Sequence, residues 1–283
     1  MPANPFSQAP MTAEGRAAWD AILADPRRTL VCSDFDGVLS PIVPDPDSAW
    51  ASGPAVDALT RLGERIGKVA VVTGRVARRA VTLGGFGGRA GLGTMSVLGV
   101  YGLERWDADT GEFAEPEAPP GVDGARAELP GLLARLDLAH ARVEDKRLSI
   151  GIHTRELDDP AAALARLQGP LTDLAARHGL RVEPGRNVIE LRGPGHDKGD
   201  AVRALVAEYD PAVVVFAGDD LGDVAAFAAV RDLRASGRIK GLLICSGSDE
   251  QDALVALADV VVDGPDGVAA LFGRLADDLG SVA

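Results

Sequence analysis

The sequence predicts an α/β fold: an open parallel sheet with helices on both faces, and a smaller α+β domain inserted into it. Three observations lead there. Uninterrupted apolar runs of strand length (Leu30-Val31-Cys32, Val69-Ala70-Val71-Val72, Val213-Val214-Val215-Phe216-Ala217) are separated by helical patterns. Strands apolar on both faces belong to parallel sheets covered by helices. Between 105 and 192 the texture changes to an alternating strand, a long amphipathic helix and further short strands, a layer complete in itself. The apolar runs also end in polar clusters, which a parallel sheet gathers at one edge. The expected organisation is a lead over 1–26, core over 27–104, an inserted domain over 105–192 and the rest of the core over 193–283.

Composition narrows the function. A chain of 283 residues suits one large domain or a domain with an insertion, and 46% apolar residues is ordinary for a globular protein. A formal charge of −13 argues against a nucleic-acid partner, which needs a basic surface. No charged n-region leads into an apolar h-region and no 18-residue apolar run follows, so no membrane partner and a cytoplasmic location are expected. The sequence is compatible with a monomer. Cys32 and Cys245 lie in apolar strand-like runs and read as buried free thiols.

Residues 14–23 suit a helix with Trp19, Ile22 and Leu23 on one stripe, and Pro26 ends it. The first strand runs into Asp34-Phe35-Asp36-Gly37. Carboxylates two residues apart point the same way if strand geometry persists that far. Their repulsion is relieved by a cation, and hard oxygen ligands favour Mg2+. A polar loop over 41–52, a helix over 54–62 and a strand over 68–72 follow, ending in Thr73-Gly74-Arg75. A hydroxyl and N–H groups leading into a helix suit phosphate, and Arg75 either clamps an anion or pairs with a neighbouring acid. The glycine-rich stretch 84–93 lacks the GxxxxGK[ST] spacing and reads as a loop, not a nucleotide cradle.

A strand over 97–100 leads to Tyr101-Gly102-Leu103-Glu104, where Tyr101 and Trp106 read as packing residues. In the insertion, 107–124 suits a hairpin and linker, 128–138 a helix, and 141–155 an alternating strand with Ser149, Gly151 and His153 on its polar side. A helix over 160–178 and one or two strands over 181–192 complete it. The core resumes with a glycine-rich turn, Lys198 opening a helix to 207, and the strand 213–217 running into Gly218-Asp219-Asp220-Leu221-Gly222-Asp223. Strands over 241–245 and 260–262 and a helix over 268–279 close the sheet.

Four polar clusters at sheet ends suit phosphomonoester hydrolysis. Asp34 attacks phosphorus, and Asp36 protonates the leaving oxygen and then activates water. Mg2+ is held by Asp34 and Asp219, Lys198 and Thr73 bind phosphoryl oxygens, and Asp220 and Asp223 support metal or lysine.

These motifs resemble the haloacid-dehalogenase-like hydrolases, whose order of acidic pair, Ser/Thr, Lys and final acidic motif they follow. Asp34-Phe35-Asp36-Gly37 with Leu39-Ser40-Pro41-Ile42, Tyr101-Gly102-Leu103-Glu104 and Asp197-Lys198-Gly199 are similar to the trehalose-6-phosphate phosphatase branch. The resemblance covers about residues 28–280. It implies a Rossmann-like core with an inserted α+β cap that closes over a sugar phosphate. It also implies a metal contact from the Asp36 backbone carbonyl. Substrate contacts are implied for Gly74, Arg75, Glu104, Glu144, Lys146, His153, Arg155, Arg186, Asn187 and Glu190. Two positions depart from the family's GDDxTDE, Gly222 for threonine and Val224 for glutamate. Another sugar phosphate, such as sucrose phosphate or a glycosyl-glycerate phosphate, stays open as substrate, and so does a non-catalytic sugar-phosphate binder. A phosphoacceptor receiver is disfavoured by Asp36, by chain length and by the insertion.

Overall fold

The computed structural model describes residues 10–114, 116–185, 187–193, 197–247 and 252–282. In chain order, α1 (Ala13–Ala24), β1 (Thr29–Ser33), α2 (Gly53–Gly63), β2 (Lys68–Val72), α3 (Ala77–Gly84), β3 (Ser96–Gly99), β4 (Glu104–Asp107) and β5 (Phe113–Ala114) come first. Then α4 (Pro120–Arg135), β6 (Arg142–Asp145), β7 (Ser149–His153), α5 (Pro160–Arg177), β8 (Arg181–Gly185) and β9 (Val188–Arg192) follow. The chain closes with α6 (Lys198–Tyr209), β10 (Val213–Gly218), α7 (Val224–Ala235), β11 (Lys240–Gly247), α8 (Asp252–Val255), β12 (Val260–Asp263) and α9 (Gly264–Val282). It divides into two compact units, Met1–Ala114 with Asp197–Ala283, and Glu115–His196.

Among the described residues, the first unit holds a sheet in the order β12-β11-β10-β1-β2-β3-β4-β5, parallel from β12 to β3 and antiparallel beyond. The alternation of strand side chains builds two cores. Val31, Val69, Val71, Val97 and Val215 face Trp19, Ile22, Leu59, Phe272 and Leu275 on one side. Leu30, Cys32, Val72, Val214 and Phe216 face Val202, Leu205, Phe227 and Val230 on the other. Each fully buried side chain of this size contributes roughly 1.5–3 kcal/mol. Side chains fix the helix starts: Thr12, Ser52 and Asp197 accept the N–H groups of Gly15, Ala55 and Asp200. The strand order reverses at β1, since β2 leaves one side and β10 the other, so the crevice lies beyond the carboxyl ends of β1 and β10.

The hairpin of β4 and β5 continues the large sheet through Arg105–Ala114 and Trp106–Phe113 pairing. Residues 105–114 therefore lie with the first unit, and the inserted one begins at Glu115, not at the expected 105. The polar composition there belongs to an edge hairpin.

The second unit is an antiparallel sheet in the order β6-β7-β9-β8. Its Ile150, Ile152, Ile189 and Leu191 pack on Val122, Leu129, Leu133, Leu167, Leu171 and Leu174 of α4 and α5. Helix α4 starts at Pro120, well before the expected 128, because a proline at the first helical position is preorganised and Val122 and Ala125 carry the apolar stripe backwards. The alternating strand expected within 141–155 is a hairpin, turning at Arg147 with φ +66. No helix of the described residues is long and apolar enough to cross a membrane.

Candidate active site

Strand β1 stops at Ser33, so the pair of carboxylates lies beyond it and not on an extended strand. The Asp34 N–H still reaches Ala217 O on β10 (2.8 Å), which fixes the first acid at the crevice. Gly37 then turns the chain with φ +70, and the Asp219 carboxylate occupies the space a β-carbon would need. Ser246 on β11, which sequence reasoning passed over, donates to Gly37 O at 2.6 Å and pins this turn.

Lys198, first residue of α6, is buried with Nζ 2.9 Å from Asp34 Oδ2 and 2.7 Å from Asp223 Oδ1. The other oxygen of Asp223 accepts the N–H groups of Asp219 and Asp220 at 2.9 and 3.3 Å. Asp223 thereby joins the lysine to the acidic loop. Burial pushes Asp34 well above the carboxylate range; Lys198 pulls the other way, and Asp223, Asp220 and Asp36 add to the rise. Burial opposes the charge of Lys198, but Asp223, Asp34 and Asp220 hold it protonated. Asp219 is pushed up to about 10 by burial and then by Asp34, Asp223 and Asp220, with Lys198 opposing.

Ligand atoms of Asp34, Asp219, Asp220 and Asp223 all lie within 4.8 Å of one another. Lys198 offsets part of this charge, and the raised carboxylates show the remainder. Hard oxygen donors in excess of the nearby positive charge fit a divalent metal. Asp223 has both oxygens engaged, so Asp34, Asp219 and Asp220 are the better placed donors.

Thr73 follows β2, and its buried hydroxyl oxygen accepts the Arg75 N–H at 3.1 Å, which leaves its own proton for another acceptor. Arg75 takes the second of its two expected parts. Its guanidinium grips Asp36 through Nε–Oδ2 and Nη2–Oδ1 at 2.7 and 2.6 Å, and Nη1 donates to Pro46 O at 2.8 Å. Glu104, expected on the substrate, is buried and accepts the Ala77 N–H at 2.8 Å, closing the start of α3, where Val76 offers no side-chain cap. Between β3 and β4 the backbone is left-handed at Val100, Tyr101 and Gly102 (φ +47, +59 and +100). For the first two this costs roughly 1–3 kcal/mol each.

In the second unit the sheet face away from α4 and α5 is polar. Lys146 Nζ meets Glu190 Oε2 at 2.9 Å, Ser149 donates to Glu190 Oε1 at 2.5 Å, and His153 Nε2 lies 2.9 Å from Glu144 Oε2. Glu144, Gly151 and Glu190 are direct cross-strand partners, so these groups form one patch. Burial would raise Glu144, but the His153 contact and the charges of Lys146, His153 and Arg142 bring it down to about 2. Asn187, with φ +55, presents its carbonyl to Thr154, and Arg155 lies half-buried in the turn after β7. Arg186 lies outside the described residues.

The sequence profile of the family described as trehalose-phosphatase matches residues 32–260. The chain belongs to that family. A trehalose-phosphate phosphatase of Mycobacterium marinum is 32% identical over 269 residues, 90% of this chain and 63% of the relative. One of Mycobacterium tuberculosis is 32% identical over 288 residues, 97% of this chain and 67% of the relative. The chain therefore spans about two thirds of the length of these curated relatives. The solved C-terminal domain of C. albicans trehalose-6-phosphate phosphatase matches with a TM-score of 0.76 at 18% identity, covering 95% of this chain and 98% of that one, a likeness of fold. The haloacid-dehalogenase-type core with an α+β insertion is thus the fold of this chain. The departure at Gly222 leaves the acidic loop intact, because the Gly222 N–H is held by Asp220 Oδ1 at 2.8 Å and the loop closes through Asp223.

Proposed function

We propose that the chain is a Mg2+-dependent phosphatase that hydrolyses trehalose 6-phosphate to trehalose and phosphate through an aspartyl-phosphate on Asp34. The observation that carries this is the buried Asp34 with Lys198 on Oδ2, inside a cluster of carboxylates and two residues before a second acid. Held by Lys198 on one side, Asp34 keeps Oδ1 for attack. That oxygen bonds to phosphorus as the bond from phosphorus to the sugar oxygen breaks, and Asp36 gives a proton to the departing oxygen. Water then attacks phosphorus, loses its proton to Asp36, and the Asp34 carboxylate leaves. Asp36 is bound to Arg75 in the state described, so it must exchange that partner for the leaving oxygen. Lys198, kept charged by Asp223, and the Thr73 hydroxyl bind phosphoryl oxygens. Asp34, Asp219 and the Asp36 backbone carbonyl, with Asp220 in support, would hold Mg2+, which when bound would supply charge neutralisation and keep Asp34 ionised.

For the sugar, Glu144, Lys146, His153, Arg155, Asn187, Glu190 and Arg186 offer donors and acceptors matched to hydroxyls. Polar groups enclosed with a substrate discriminate strongly against analogues lacking their partner. Phosphate release with Mg2+ from a panel of trehalose 6-phosphate, sucrose phosphate and a glycosyl-glycerate phosphate tests the reading. Fast turnover of trehalose 6-phosphate is expected. Negligible turnover of it beside fast turnover of another member would reject the sugar, and no turnover of any would reject the enzyme.

A further inference from the structure

Val100 and Tyr101 are held in a conformation that glycine adopts without strain, yet both carry large side chains. Strain of this kind persists where the surroundings over-determine it, and here the N–H groups of both strained residues are held by the loop 73–75. The Val100 N–H donates to Arg75 O at 2.8 Å and the Tyr101 N–H to Thr73 O at 3.0 Å. The Thr73 N–H donates back to Leu98 O at 2.9 Å. The phenol lies on Gly74: a β-carbon there would be 2.9 Å from the Tyr101 hydroxyl and 3.0 Å from Cζ. The carbonyls of the residues on both sides of Gly74 are therefore tied by the left-handed turn, and the ring covers the residue between them.

We propose that Tyr101 is a positioning residue for phosphate recognition. It acts through the backbone of Thr73 and Arg75, aiming the Thr73 hydroxyl at the phosphoryl group and fixing the base of the side chain that grips Asp36. A packing residue would need no left-handed backbone, whereas a glycine at 101 would relieve the strain and lose the ring. The turn keeps the ring. This inference rests on the phosphatase reading for its consequence in turnover, but not for its consequence in loop geometry.

The experiment uses the full chain with Mg2+ and compares wild type with Tyr101→Gly, Tyr101→Phe, Gly74→Ala and the double variant Tyr101→Gly/Gly74→Ala. Measured are melting temperature, binding of inorganic phosphate by calorimetry, kcat and KM, and amide exchange of residues 73–76. Tyr101→Gly is expected to melt no lower than wild type, to lose exchange protection at 73–76, and to bind phosphate at least tenfold more weakly. Its kcat should fall by roughly 10–100-fold, the scale of a small misplacement at a reacting centre. Tyr101→Phe, which retains the ring, should recover most of both losses. Gly74→Ala should be damaging in the wild-type background, where the new β-carbon meets the phenol, and less so beside Tyr101→Gly. If Tyr101→Gly does not fold, Tyr101→Ala carries the same expectations for exchange and phosphate binding, with a lower melting temperature because alanine keeps the left-handed strain. Wild-type phosphate affinity and unchanged protection at 73–76 in the ring-less variant would overturn the proposal. So would losses that merely follow a general fall in melting temperature. A wild-type chain without turnover would reject the phosphatase reading alone, since exchange and phosphate binding still report on the loop.

Discussion

Lys198 lies between Asp34 and Asp223, both of which depend on it in a buried setting. Replacing it with methionine leaves two buried carboxylates without their cation, which costs about 3–5 kcal/mol. Urea unfolding of Lys198→Met without added metal should show a loss of that order, together with loss of turnover; an unchanged midpoint would contradict the pairing. Glu144 yields a pH prediction. Its folded pKa is depressed to about 2, so the unfolded chain binds the proton first. The stabilisation is present above the unfolded value and is lost as pH falls through the folded one. Wild type should thus lose more melting temperature between pH 5 and about pH 3 than Glu144→Gln does. At this scale the sequence singled out Asp34, Lys198 and Asp219, which the fold brings together, because acids and a lysine next to apolar runs are unusual. It offered a neighbouring acid as one partner for Arg75 without saying which, because the choice of Asp36 depends on β1 stopping at Ser33 and Gly37 turning the chain. Nor did it reveal Tyr101, since a left-handed backbone at a residue other than glycine leaves no trace in residue type.

At the scale of elements, the turn between β3 and β4 and the start of α3 depend on one another. Glu104 accepts the buried Ala77 N–H, and its removal leaves that donor without this acceptor. Glu104→Ala should lower stability by about 1–3 kcal/mol by chemical denaturation. A large rise in KM without a stability change would instead support the expected contact of Glu104 with the substrate. Parallel strands were legible as apolar runs, and α5 as a clear stripe of leucines. A hairpin was legible near 107–124 but not its place at the edge of the large sheet, and the first half of α4 was not legible. Edge hairpins carry polar side chains by physical necessity, and α4 carries glycine and proline that mimic a linker while Val122 and Ala125 bury its face.

At the scale of the whole molecule, the residues proposed for the chemistry and those proposed for the sugar fall in different units of the chain. If the polar face of the second unit binds the sugar, His153→Ala should raise KM for trehalose 6-phosphate by about tenfold or more. Hydrolysis of a small aryl phosphate should be unaffected. An equal loss on both substrates would place the effect in the core. The insertion was visible from its change of texture, but its first boundary was not, because the edge hairpin and the insertion share a polar composition.

The two free thiols of the first unit turn its sheet into a reporter of its own opening. Cys32 and Cys245 are fully buried, on β1 and β11. Burial raises both thiols, and Cys245 reaches about 11, with Asp219 and Asp223 adding to the effect. At neutral pH neither is a thiolate nor within reach of an alkylating reagent, so modification has to wait for the strands to part. Iodoacetamide incorporation then becomes a clock for excursions of this unit. Mg2+ with phosphate should slow that clock by binding the closed form.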